Sequence, residues 1–227
     1  MKRPRIDFLY RSGRFLAQIF LPTFGSITVE GRENVPLSGP LLIASNHQSL
    51  ADPAVLIYAI DRPMWWMAKR SLFKGWLASW FLRQVHVFGV NRQKQDLGAL
   101  AHTQKLLDQG RALLIFPEGT RHPGALGKGH DGIAYMALRT GVPVIPVAIT
   151  GTERIPHIWR TPIHFQNLKA VIGKPFTLTQ SGRVDRQMLV GMTDRIMRSI
   201  AELLPPEYQG DYADDLGESR GLSSERA

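Results

Sequence analysis

The sequence predicts an α/β fold: a mostly parallel central sheet flanked by helices, with an N-terminal amphipathic helical segment. Three observations carry this. Short apolar runs alternate with longer helical patterns, as in βαβ units. Ala112 to Phe116 is apolar without interruption, as in a strand buried on both faces. Phe8, Leu9, Phe15, Leu16, Ile19 and Phe20 recur at helical spacing among basic residues, the pattern of a helix with one apolar face.

The elements follow in order. Leu41 to Ala44 is a short strand, and Pro53 to Ile60 a helix that opens on Asp52-Pro53. Met64 to Ala68 reads as a strand, Leu72 to Leu82 as a helix and Val85 to Val90 as a strand. Leu97 to Leu107 is helical and stops at Gly110, a residue suited to a helix C-terminus. Ile133 to Arg139 is a helix ended by Gly141. Val142 to Ile149 is a strand whose Pro143 and Pro146 put it at a sheet edge or a bulge, because proline has no N–H for the ladder. Leu168 to Ile172 is a strand, and Arg186 to Leu204 a last amphipathic helix. This divides the chain into a helical segment over 1–24, a main domain over 25–206 and an acidic, flexible tail over 207–227.

Composition narrows the function. The 227 residues hold 28 basic and 19 acidic side chains, for a net charge of +9, and no cysteine. Disulfide frameworks, thiol nucleophiles and thiolate metal sites are excluded. The residues from Glu207 on hold six acidic and two basic side chains, so residues 1–206 carry +13. Such a charge suits an anionic partner: nucleic acid, a membrane surface or a phosphorylated substrate. The longest apolar stretches, such as Phe15 to Phe24, are too short to span a bilayer. Arg11 and Arg14 interrupt what would be the apolar region of a signal peptide. The first helix therefore lies either on a membrane surface or on the domain's own core. Trp65, Trp66, Trp76 and Trp80, interleaved with Lys69, Arg70, Lys74 and Arg83, allow the same two readings, interfacial or core.

Loops leaving the carboxyl ends of strands hold the sites of such sheets. The first such loop reads Ser45-Asn46-His47-Gln48-Ser49-Leu50-Ala51-Asp52. A turn there would bring the His47 imidazole against the Asp52 carboxylate, which would fix the tautomer and stabilise the imidazolium of a general base. The plain alternative is Asp52 as a helix cap and His47 as a surface residue. The second loop is Phe116-Pro117-Glu118-Gly119-Thr120-Arg121. Gly119 permits a left-handed backbone, Arg121 can fork onto a phosphate, and Glu118 can bond a hydroxyl or orient the arginine. The plain alternative is an ordinary turn with a solvated charge pair. Arg92, after the strand ending at Val90, and Lys128, in a glycine-rich loop, add cations. No P-loop, Gly-x-Ser-x-Gly elbow or convincing metal-ligand cluster is present.

These residues resemble a known family. His47-x4-Asp52 with Phe116-Pro117-Glu118-Gly119-Thr120-Arg121 is similar to the glycerolipid acyltransferases of the 1-acylglycerol-3-phosphate acyltransferase (PlsC-type) group. Val87-Phe88-Gly89-Val90-Asn91-Arg92 and Val142-Pro143-Val144-Ile145-Pro146-Val147 resemble two further motifs of that family, in the same order. The resemblance covers roughly residues 25–205. It implies that His47, oriented by Asp52, deprotonates the 2-hydroxyl of lysophosphatidic acid. That oxygen then attacks an acyl thioester directly, giving phosphatidic acid. It implies that Arg92, Glu118, Gly119 and Arg121 bind the glycerol phosphate, with Thr120 in the same motif and Lys128 nearby. It also implies acyl-CoA or acyl-ACP as co-substrate without a bound cofactor or metal, a membrane phospholipid surface as partner, no nucleic acid, and a place at the cytoplasmic face of the cell membrane. The chain departs from the pattern at His122-Pro123, where serine is frequent, and at Lys128-Gly129, where a lysine pair is frequent.

Two other classes compete: a non-catalytic basic module for anionic lipid or nucleic acid, and a hydrolase that turns the same dyad on water. The first leaves both loops unexplained. Product identity separates the second.

Overall fold

The computed structural model describes residues 8–91, 96–155, 165–179 and 185–213. Among them a seven-stranded sheet runs in the order β1-β7-β6-β2-β5-β3-β4. The strands are β1 (Gly25–Glu30), β2 (Leu41–Ser45), β3 (Met64–Lys69), β4 (Val87–Val90), β5 (Ala112–Ile115), β6 (Val144–Thr150) and β7 (Phe165–Ile172). Every ladder is parallel except β6–β7. The helices are α1 (Phe8–Phe24), α2 (Asp52–Ala59), α3 (Trp76–Gln84), α4 (Leu97–Asp108), α5 (Gly132–Thr140) and α6 (Arg186–Ala201).

The strand pattern explains the layers. Side chains of a strand alternate between faces, so a central strand must be apolar throughout. In β2, Leu42 and Ala44 join the core beneath α4, α5 and α6, while Leu41 and Ile43 join the core on the α1 and α2 side. In β5, Leu113 and Ile115 face the first core, Ala112 and Leu114 the second. All eight are buried.

The α/β architecture agrees with the sequence reading, with four differences. First, Gly25–Glu30 forms an unexpected strand, paired with the remote β7. Second, β6 is an interior strand rather than an edge. It tolerates Pro146 because the β7 ladder is broken there: Val144 bonds Phe176 both ways, and regular pairing starts only at Val147 opposite Ile172. By strand alternation, the missing N–H of Pro146 faces that break. Third, the expected helix over Leu72 to Leu82 is split into a 3-10 turn, Arg70–Leu72, and α3. Gly75 separates them at φ 81°, a value open to glycine and costly for other residues. Fourth, the acidic tail does not begin at Glu207. Pro206–Tyr208 and Gly210–Tyr212 are 3-10 turns, and Tyr212 is buried. Leu126 donates its N–H to the Tyr208 carbonyl and accepts from Asp211, which pins this segment to the glycine-rich loop.

Helix α1 packs on the domain by one side and leaves apolar side chains exposed on the other. Tyr10 and Leu21 are buried. The Tyr10 ring stacks on His86 at 4.5 Å, and its hydroxyl accepts the Met64 N–H at 3.2 Å. Phe8, Phe15, Leu16 and Ile19 remain exposed. The tryptophans divide likewise: Trp66 is core, Trp65 half-buried, and Trp76 and Trp80 exposed.

Candidate active site

Strands β6, β2 and β5 are adjacent and parallel, so the loops leaving their carboxyl ends emerge side by side. They carry Thr152, the His47–Asp52 segment and Glu118–Arg121. Asn46 joins the first two loops: its side chain donates to the Ile149 carbonyl at 2.8 Å and accepts the Ile149 N–H at 2.7 Å.

Asp52 is the first residue of α2, not its cap, and is fully buried. Its carboxylate turns back into the preceding loop. Oδ2 meets His47 Nδ1 at 2.6 Å and accepts the backbone N–H groups of Gln48 and Ser49 at 2.7 and 2.9 Å. Oδ1 accepts the Thr152 hydroxyl at 2.5 Å. A buried carboxylate is tolerated only with such partners. The plain reading of Asp52 as a cap is therefore replaced by a His–Asp pair. The His47 ring stacks on Phe116 with centroids 4.1 Å apart and planes 18° apart. Two contacts thus fix the imidazole. With Nδ1 committed to Asp52, Nε2 is the nitrogen left to take a proton.

The second loop is tied to the first through its backbone. Glu118 Oε1 accepts the His47 N–H at 2.7 Å, and Oε2 accepts the Gly127 N–H at 2.8 Å. The His47 carbonyl accepts from the His122 N–H at 2.7 Å. Glu118 is only 2% exposed. Burial pushes its carboxyl up to about 7, against the two N–H bonds, which pull it down. Glu118 thus fastens the His47 loop to the glycine-rich loop. Gly119 also acts through packing. Its φ is 66°, and a Cβ there would lie 2.8 Å from the His130 ring. Thr120, Arg121 and Lys128 are exposed, with side chains available to a ligand. Arg92 lies outside the described residues.

Sequence reasoning missed Thr152, Phe116 as a stacking partner, and Gln48, which bonds the Ile149 carbonyl and the Gly124 N–H. The signal for Thr152 was a polar residue directly after an apolar strand and a glycine, at the same carboxyl edge of the sheet. A separate cleft of about 520 Å³ runs along β4, lined by Trp65, Phe73, Phe88, Arg70, Arg83 and His102 among others. None of the residues around His47 lines it.

Known proteins share this sequence pattern and fold. The chain is 30% identical over 176 residues to the chloroplastic 1-acyl-sn-glycerol-3-phosphate acyltransferase LPAT1 of Arabidopsis thaliana, an alignment covering 75% of this chain and 49% of that one. It is 28% identical over 191 residues to the 1-acyl-sn-glycerol-3-phosphate acyltransferase of Bacillus subtilis, covering 82% of this chain and 92% of that one. The crystal structure of the 1-acyl-sn-glycerophosphate (LPA) acyltransferase PlsC from Thermotoga maritima superposes with a TM-score of 0.64 at 27% identity, over 86% of this chain and 78% of that one. The chain thus spans about half the length of some curated relatives and nearly all of another. Residues 26–150, which contain both loops with His47, Asp52 and Glu118–Arg121, match the acyltransferase family model, and the chain belongs to the acyltransferase family.

Proposed function

We propose that this chain transfers a fatty acyl group from an acyl thioester to the 2-hydroxyl of 1-acyl-sn-glycerol 3-phosphate, giving phosphatidic acid. The 2.6 Å pair of His47 Nδ1 with buried Asp52 carries the reading. His47 Nε2 takes the hydroxyl proton as the oxygen attacks the thioester carbonyl, and the imidazolium is stabilised by Asp52. Collapse of the tetrahedral intermediate breaks the C–S bond. The departing thiolate recovers the proton from His47, which leaves a free thiol and an unchanged protein. Arg121 and Lys128, exposed on the adjoining loop, together with Arg92, supply charge for the acceptor phosphate. Neither a metal nor a bound cofactor is needed for these steps.

The donor is a phosphopantetheine thioester, on coenzyme A or on acyl carrier protein. Both carriers are anionic and suit a +13 body. The acceptor is a lipid, and the chain has a surface for lipid. Trp76, Leu77, Trp80 and Phe81 of α3 are exposed beside Phe8, Phe15, Leu16 and Ile19 of α1, and the two helices touch. No acidic residue occurs within α1 or between Asp61 and Asp96. Exposed apolar side chains with exposed Arg11, Lys69, Lys74 and Arg83 in the same segments fit an anionic bilayer at its cytoplasmic face. Among the described residues no helix is long and apolar enough to cross a membrane, which fits peripheral attachment.

The test is to incubate purified protein with lysophosphatidic acid and either acyl-CoA or acyl-ACP, then identify the products. Phosphatidic acid is expected with at least one donor. Free fatty acid without phosphatidic acid would replace this reading by a hydrolase.

A further inference from the structure

We propose that Thr152 is a positioning residue of the active site, which sets the His47–Asp52 pair through its bond to Asp52. This rests on the acyl-transfer reading of His47 but involves a residue that lies beyond both matching loops, and beyond residues 26–150.

The observation is the division of labour on the Asp52 carboxylate. Oδ2 holds His47 Nδ1 and two backbone N–H groups of its own loop. These are local contacts and move with the loop. Oδ1 is held by the Thr152 hydroxyl, 100 residues along the chain. Both side chains are fully buried, so water is a poor substitute. Thr152 is placed by the turn that ends β6. Gly151 takes φ 89°, and a Cβ there would meet the Asn167 carbonyl oxygen at 2.5 Å. The 3-10 turn Thr152–Arg154 then starts with its first side chain against Asp52. The hydroxyl fixes the carboxylate's rotation, and with it the plane into which His47 Nδ1 donates. It also draws charge toward Oδ1 and away from the imidazole.

Thr152→Val keeps the shape and removes the donor. Thr152→Ser keeps the donor and removes a methyl. In Thr152→Val, kcat should fall ~10–100-fold, the range typical of a group that orients a site residue, with KM for the lipid acceptor little changed. The carboxylate, relieved of one donor, should hold the imidazolium more strongly. The Nδ1–H signal of the His47 ring, followed by NMR on the whole chain, should therefore shift in Thr152→Val, because that proton is shared with Asp52. Thr152→Ser should restore both kcat and the signal. A His47 Nδ1–H signal that stays in place in Thr152→Val would overturn the proposal, as would equal losses in Val and Ser. The NMR measurement needs no turnover, so it judges Thr152 even if the wild-type chain makes no phosphatidic acid, a result that would refute the function instead.

Discussion

The loops around His47 and the outer face of α1 and α3 break the usual burial rule in opposite senses. Around His47, polar groups are buried: Asp52, Glu118, Asn46 and Gln48 lie within the fold. Each has its partners there, at 2.5 to 2.9 Å. On α1 and α3, large apolar groups are exposed, with Phe8 and Trp76 each 81% accessible. Burying a carboxylate is costly unless it is fully bonded, and exposing aromatic rings is costly unless something covers them. The difference teaches where each region's partner lies. The buried polar cluster is completed by the chain itself and holds one imidazole still. Among the described residues nothing covers the apolar face, and the proposed occupant is an anionic lipid surface.

The sharpest way to break the polar side is at the dyad. His47→Ala should lower acyl transfer ~10²–10⁴-fold with the fold intact by circular dichroism. Asp52→Asn should also cost ~10²-fold or more, because the amide cannot stabilise the imidazolium. On the apolar side, replacing Trp76 and Leu77 together by serine should weaken binding to phosphatidylglycerol-containing vesicles ~10–100-fold. Turnover of a water-dispersed acceptor should be spared. Vesicle binding equal to wild type would show that the face serves another purpose.

Glu118 tests the polar side by pH. Its carboxyl sits at about 7 in the fold, above an ordinary value of 4.5, chiefly through burial. A raised acid pKa means that the folded state binds more protons than the unfolded state between those values. The contribution of Glu118 to stability is thus fully present below about 4.5 and is lost as pH rises through about 7. Denaturant titrations should show wild-type stability declining across that window relative to Glu118→Gln. A parallel pH dependence in the two proteins would remove this assignment. The smallest effect is expected at the docked C-terminal segment. Tyr208 donates its hydroxyl to Glu153 Oε1 at 2.7 Å, beside Thr152. Tyr208→Phe should cost about 1 kcal/mol in stability, measured by urea unfolding, with little change in kcat.

The sequence was most informative where function resides in local pattern. Asn46-His47 through Asp52, and Phe116 through Arg121, each lie within one loop, and the unbroken apolarity of Ala112 to Phe116 marked the central strand that presents the second. What escaped depends on distant partners. Gly25–Glu30 is an alternating, half-exposed segment whose pairing strand lies beyond residue 164. Pro146 argued for an edge or a bulge, and nothing nearby reveals that an interrupted ladder opposite it decides for an interior strand. The segment after Pro205 looked like solvent-loving tail, yet Tyr208 and Tyr212 give it two aromatic anchors on the Leu126 loop. The Glu118 contacts within the fold escaped too: the N–H groups of His47 and Gly127 are backbone groups that carry no residue-type signal.

His47, held by Asp52, is the proposed base for acyl transfer to a lysophospholipid hydroxyl. The most direct measurement is phosphatidic acid formation from lysophosphatidic acid and an acyl thioester, followed by mass spectrometry, for wild type and for a folded His47→Ala variant. Product is expected from the wild type and at most a trace from the variant. Undiminished phosphatidic acid from folded His47→Ala would contradict it.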